Sequence, residues 1–323
     1  MPAEIPSDTF ADTETARAAF AELLKIPRAA PAVVDVERRD VREEAGLTVE
    51  DIAWRAPDGE EVPALVVSPA TDGAGPFPAV VCLHGSGGSR EEVCAPSFGR
   101  GPWTPRAGGA PYTTLLGWGR ELARHGYVVL ALTQRGLDVR TPDTNDRAKD
   151  LLVRGRTLMG AIVTEIRQAV TFLQSRAEVD PARIGMTGIS FGGITTFYSW
   201  LVDERIAAAA PVCGGVGSVD VLLRRGVPAY HGFYWWIPDL LTRGDQGDFA
   251  AAQAPRPLML WAPRDDIGMP REGVDRFLEA AQPAYERAGA SAALVVHQPP
   301  GEHDFTAEAF AALRAFFDTH LKR

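Results

Sequence analysis

Cysteine is scarce in this chain: three in 323 residues, Cys82, Cys94 and Cys213. That number and spacing exclude a disulfide framework, and a reducing cytoplasm is the expected compartment. Cys82 and Cys213 stand in apolar runs where a thiol serves as a small buried hydrophobe, whereas Cys94 lies in a polar loop and could be exposed. No stretch approaches the roughly 20 apolar residues that a membrane helix requires. Met1-Pro2-Ala3-Glu4-Ile5-Pro6-Ser7-Asp8 has neither a basic start nor an apolar run, so it does not read as a signal peptide. Long basic runs are missing too, and the formal net charge is -9 with pI near 5.3. Nucleic acid and anionic membrane are therefore not the expected partners. The six histidines form no H-E-x-x-H or H-x-H spacing, so no metal site is expected. Neither G-x-G-x-x-G after the first strand nor G-K-[ST] is present, which leaves no expected dinucleotide or P-loop cofactor.

Hydrophobic residues make up 46% and charged residues 23%, enough apolar content to bury one large core. Thr13 to Leu24 carries apolar residues at helical spacing, an N-terminal arm that could pack on another subunit. Val33 to Leu47 is charge-rich and reads as a surface linker. Leu47–Trp54 and Glu61–Ser68 flank Ala56-Pro57-Asp58-Gly59 and predict a hairpin. Buried strands are expected at Pro78–Leu83, Tyr127–Leu132, Ile184–Thr187, Ile206–Cys213, Pro257–Trp261 and Ala293–His297. Between them, helices are expected at Trp118–His125, Thr157–Ala177 and Thr306–Leu321. That alternation implies an α/β class chain with a mainly parallel central sheet and helices on both faces. Two long excursions, Ser89 to Gly117 and Gly214 to about Ala250, leave the sheet, and connections of that length commonly shape a site.

Gly188-Ile189-Ser190-Phe191-Gly192-Gly193 sits between a short strand and a helix. This is the setting of a nucleophile elbow, in which a serine stands on a turn too tight for flanking side chains. A serine hydroxyl is a weak nucleophile and needs a base, an orienting acid and two backbone donors. His303, in Gly301-Glu302-His303-Asp304-Phe305 beyond the last strand, is the expected base, with His297 second. His125, His231 and His320 read as surface or pocket residues. Arg264-Asp265-Asp266-Ile267-Gly268-Met269-Pro270 offers the acid. Asp266 stands four residues before a proline and is favoured over Asp265, which stays open. The donors are expected from the amide of Phe191 and from His84-Gly85-Ser86-Gly87-Gly88, through Ser86 or Gly85.

These four motifs, in this order, resemble the α/β-hydrolase superfamily over residues 45–323, in its dienelactone-hydrolase-like, acetyl-esterase-like and prolyl-oligopeptidase-like branches. Val179-Asp180-Pro181-Ala182-Arg183-Ile184-Gly185 is similar to the segment that precedes the elbow in such members. The resemblance implies an α/β-hydrolase fold with residues 1–44 as arm and linker and a small cap inserted at about 214–250. It also implies a serine carboxylic ester hydrolase with Ser190, Asp266 and His303 as triad, acting on small-molecule esters without a cofactor. An aminopeptidase or amidase with the same triad and a non-catalytic hydrolase-fold binding protein are the alternatives. Acetyl xylan and cephalosporin deacetylases carry R-G-Q, G-x-S-Q-G-G and H-E. Here Arg135-Gly136-Leu137, Phe191 and Asp304 depart from all three. About 45 residues are too few for the propeller of prolyl-oligopeptidase-type peptidases. Tyr230, Phe233, Tyr234, Trp235 and Trp236 form a dense aromatic stretch that reads as core packing, pocket wall or both, with Trp103 and Tyr112 as further wall candidates.

Overall fold

A computed structural model describes residues 10–29, 31–32, 35–70, 75–101, 104–106, 109–112, 114–136, 140 and 144–322. Nine strands form its main sheet: β1 (Glu37–Glu44), β2 (Leu47–Arg55), β3 (Glu61–Pro69), β4 (Phe77–Leu83), β5 (Val128–Leu132), β6 (Val179–Ile189), β7 (Ile206–Val212), β8 (Leu258–Trp261) and β9 (Leu294–His297). Their spatial order is β1-β2-β3-β5-β4-β6-β7-β8-β9. The pairs β1–β2, β2–β3 and β3–β5 are antiparallel, and every pair from β5 to β9 is parallel. Residues in β4, β5 and β7 are almost all buried, as expected for strands covered on both faces.

The covering helices are α1 (Thr13–Leu24), α2 (Trp118–Arg124), α3 (Thr144–Val153), α4 (Leu158–Gln174), α5 (Phe191–Val202), α6 (Val219–Arg225), α7 (Gln246–Ala251), α8 (Arg271–Arg287) and α9 (Ala307–Leu321). Two apolar cores result. One lies under α1, α4, α5 and α8 and includes Phe20, Ile166, Phe197 and Phe277. The other lies under α2 and α9 and includes Trp118, Leu122, Leu313 and Phe317. Side-chain caps start α4 at Thr157 and α9 at Thr306, each satisfying an N–H that has no partner within its helix.

The N-terminal helix packs on its own chain, with Phe20 against Tyr198 and Phe249. Two expectations change. The charge-rich segment read as a linker contributes β1, whose exposed residues still pair with β2 through the backbone. Cys94 is 2% exposed, not surface, because it closes a short helix at Arg90–Val93 and packs into the second core. Burial pushes its thiol up to about 12. All three cysteines are free and buried. No described helix is long and apolar enough to cross a membrane.

Candidate active site

Because β6, β7, β8 and β9 run parallel, their C-terminal ends share one edge, and the motif residues leave from it. Ser190 follows β6 and has φ 56°, ψ -113°, a left-handed conformation that costs on the order of 1–3 kcal/mol for a non-glycine residue. Its N–H donates to Val212 O at 2.9 Å, and its carbonyl accepts from Gly193 and Ile194 to open α5. The neighbouring glycines are required by backbone proximity. A Cβ on Gly192 would stand 2.2 Å from Leu83 O, and one on Gly188 would stand 2.5 Å from Gly192 O. Phe191 is the first residue of α5, so helix geometry leaves its N–H without an intrahelical acceptor.

The loop after β4 faces this turn. His84 is wholly buried. Its Nε2 accepts from Gln134 N–H at 2.9 Å, so the proton must sit on Nδ1, which donates to Gly85 O at 2.7 Å. Desolvation lowers this imidazole to about 4 and keeps it neutral. Gly88 N–H also donates to Gly85 O, at 3.0 Å, closing a tight turn around Ser86 and Gly87. Gly85 is buried and Ser86 partly exposed. The Gln134 side chain continues the set: its Nε2 donates to His84 O at 2.9 Å and its Oε1 accepts from Thr195 Oγ1 at 2.7 Å.

On the other side, His303 Nδ1 donates to Asp266 Oδ1 at 2.8 Å, and both residues are buried. The same oxygen accepts from Gly268 N–H at 2.7 Å. Asp265 is exposed and accepts from Gly301 N–H at 3.3 Å, a bond that ties two loops and leaves His303 to Asp266. His297 ends β9 with its ring against Trp261, and His125 lies beside Glu121 on the surface. His231 donates from Nε2 to Gly268 O at 2.5 Å, joining the second excursion to the acid loop.

The spacing of motifs did not reveal Cys213. It has φ 47° at the end of β7 and lies 3.4 Å from Asp304 O through Sγ. Sγ, a carboxylate oxygen of Asp266 and a ring nitrogen of His303 fall within 4.8 Å of one another. A metal held by this trio would compete with His303 for Asp266 and would need the thiol ionised. Burial and the Asp266 charge push that thiol well above its ordinary value. The trio is therefore better matched to a neutral thiol beside a hydrogen-bonded pair.

The aromatic stretch divides. Tyr230 meets His303 edge to face at 5.6 Å between ring centroids, and Tyr234 meets Phe191 in the same way at 4.8 Å. Trp235 is 1% exposed and stacks beneath His231 at 4.4 Å, one layer behind the surface. Trp236 is half-buried against Trp235, while Phe233 is exposed. Trp103 lies outside the described residues, as does the side chain of Tyr112.

The dienelactone hydrolase family model matches residues 108–226, a span that contains Ser190. YtaP of Bacillus subtilis (strain 168), which is named as a hydrolase, is 30% identical over 273 residues, covering 84% of this chain and 87% of that protein. Among solved structures, a glucuronoyl esterase from Solibacter usitatus superposes with TM-score 0.73 at 17% identity, over 97% of this chain and 93% of that one. An acetyl xylan esterase from Paenibacillus sp. R4 does so with TM-score 0.62 at 18% identity, over 99% and 100%. The sheet order, the strained serine and the match across most of YtaP agree. The chain belongs to the dienelactone hydrolase family of the α/β-hydrolase superfamily.

Proposed function

We propose that this enzyme is a serine carboxylic ester hydrolase in which Ser190 is the nucleophile, His303 the general base and Asp266 the orienting acid. The observation that carries this reading is the combination of a left-handed Ser190 at the end of β6 with the 2.8 Å His303–Asp266 bond at the same sheet edge. In the first half-reaction the Ser190 oxygen bonds to the ester carbonyl carbon while its proton passes to His303. The carbonyl oxygen takes up the electron pair as an oxyanion, facing the amides of Phe191 and of Ser86 or Gly85. The C–O bond to the alcohol then breaks, the proton moves from His303 to the leaving alkoxide, and an acyl-enzyme remains. Water repeats the sequence, releasing the acid and restoring Ser190. Asp266 keeps the His303 proton on Nδ1 and stabilises the imidazolium.

Tyr230 and Tyr234, which pack on His303 and Phe191, are the wall residues nearest this chemistry, with exposed Phe233 and half-buried Trp236 farther out. Residues 214–250 form the cap, and they pack into the main core through Val216, Leu222 and Trp235. Three buried free thiols suit a cytoplasmic location. The substrate class is a small-molecule ester; that the similar solved structures are esterases supports the ester half of this reading.

Hydrolysis of p-nitrophenyl esters from acetate to decanoate, by wild type and Ser190→Ala in parallel, tests the reading. Serine-dependent turnover is expected, with kcat falling by roughly 10⁴–10⁶ in the variant. Undiminished turnover by Ser190→Ala would defeat it. Peptide anilides cleaved as fast as the esters would replace it with the amidase reading.

A further inference from the structure

Gln134 is a wholly buried polar residue outside the triad and both motif loops, and its position between those loops is distinctive. It holds His84 twice, by its backbone N–H on the ring and by its side-chain amide on the carbonyl. It holds α5 once, through the Thr195 hydroxyl, whose oxygen lies 3.1 Å from Phe191 O and 3.2 Å from Gly192 O. The amide orientation is forced, since His84 O can only accept and must face the NH₂. His84 O also borders α5 directly, because a Cβ on Gly192 would stand 2.7 Å from it.

The base of this bracket is itself anchored. Thr133 N–H donates to Pro63 O at 2.9 Å, and Arg135 grips Asp58 with two bonds of 2.7 and 2.9 Å. Buried Glu165 accepts from Arg135 Nε at 2.6 Å.

Resting on the serine-hydrolase reading above, we propose that Gln134 is a positioning residue for oxyanion stabilisation. It fixes the separation between the His84–Gly88 turn and the first turn of α5, and hence between the two backbone donors. It touches no substrate. Its contribution is therefore realised when the carbonyl oxygen becomes charged, and substrate binding is largely spared.

The test compares wild type, Gln134→Met, Gln134→Glu and Thr195→Val for kcat and KM on the p-nitrophenyl ester that wild type turns over best, across pH. Inhibition by an alkyl trifluoromethyl ketone, which adds Ser190 to form a hemiketal oxyanion, is measured alongside. Gln134→Met is expected to lower kcat by about tenfold or more with KM within about twofold, and to weaken the ketone by a similar factor. A protonated glutamic acid restores the pattern, with O–H on His84 O and C=O toward Thr195. Its ionised form sets a carboxylate against that carbonyl. The ratio of Gln134→Glu activity to wild type is therefore expected to fall as pH rises. Thr195→Val, which cuts only the α5 end, should show the same kcat and ketone losses, but smaller, and decides the matter if Gln134→Met does not fold. The proposal is overturned if kcat and ketone affinity stay near wild type in the folded variants. It is equally overturned if the whole loss appears in KM or if the Gln134→Glu ratio is flat with pH. Serine-independent turnover by wild type would fell the esterase reading itself, and this inference with it, without reference to any Gln134 variant.

Discussion

The two sides of Ser190 are held by different kinds of contact. On the donor side, Gly188, Gly192 and Gly193 press backbone on backbone, and His84, Gln134 and Thr195 are buried completely. On the acid–base side, the partners are side chains on loops: His303 with Asp266, Tyr230 over His303, and His231 on Gly268 O. An Arg100–Asp304 ion pair of 2.8 Å at the rim joins the first excursion to the histidine loop. Backbone donors cannot be re-aimed by a rotamer change, so a rigid frame suits them. An imidazole that carries a proton between nucleophile and leaving group needs less confinement and some access.

Equal substitutions on the two sides should therefore have unequal effects. Gly192→Ala is expected to do most damage, because its Cβ meets Leu83 O and C at 2.2 and 2.6 Å, atoms of central strand β4. A loss of about 3 kcal/mol or more and no measurable turnover are expected. Gly268→Ala, on the other side, would meet Asp266 Oδ1 at 3.0 Å, the Tyr230 ring at 3.4 Å and His303 Nδ1 at 3.6 Å, side-chain atoms able to yield. Its stability should change by about 1 kcal/mol or less, with loss mainly in kcat. Denaturant titration beside ester hydrolysis measures both, and equal losses would erase the contrast.

Within the acid–base side, adjacent carboxylates provide a sharper division. Asp266→Asn removes the anion facing His303 Nδ1 and should lower kcat by about 10⁴. Asp265→Asn alters only an exposed bond to Gly301 N–H and should stay within a few-fold of wild type. Reversal of these effects would move the acid to Asp265.

The division also tracks what could be read from sequence. β2 to β9 and α1, α2, α4 and α9 were legible because each combines an apolar period with turn or cap residues at its ends. β1 was not, since Glu37-Arg38-Arg39-Asp40-Val41-Arg42-Glu43-Glu44 has no buried face to impose alternation. Helix α8 was missed although Val274, Phe277, Ala281 and Tyr285 are buried at helical spacing; polar residues dominate the rest and Pro283 lies inside it. The residues of the proposed triad could be picked out because each has a distinctive setting, strand-turn-helix or a loop after a named strand. Gln134 was not, since a buried glutamine is recognised only by what it touches. Cys213 could have been suspected as the residue just after the apolar strand β7, one strand over from Ser190, but its φ of 47° has no signature in sequence.

The donor side carries a last test in its response to pH. Glu92 lies beside the His84–Gly88 turn: a Cβ on Gly88 would stand 2.7 Å from Glu92 Oε2. Burial pushes this carboxyl up to about 7. A folded value above the unfolded one means full stability below about pH 4.5 and loss as pH rises through 7. His84, lowered to about 4, has the opposite slope, with full stability above about pH 6.5 and loss toward pH 4. Removing the carboxyl should therefore leave only the His84 slope from this pair. Glu92→Gln is expected to be more stable than wild type by about 2–3 kcal/mol at about pH 8.5 and nearly equal at about pH 4. Denaturant midpoints at those two pH values measure the difference. A pH-independent difference would mean that the carboxyl is solvated and that the frame around the turn is less closed than its packing indicates.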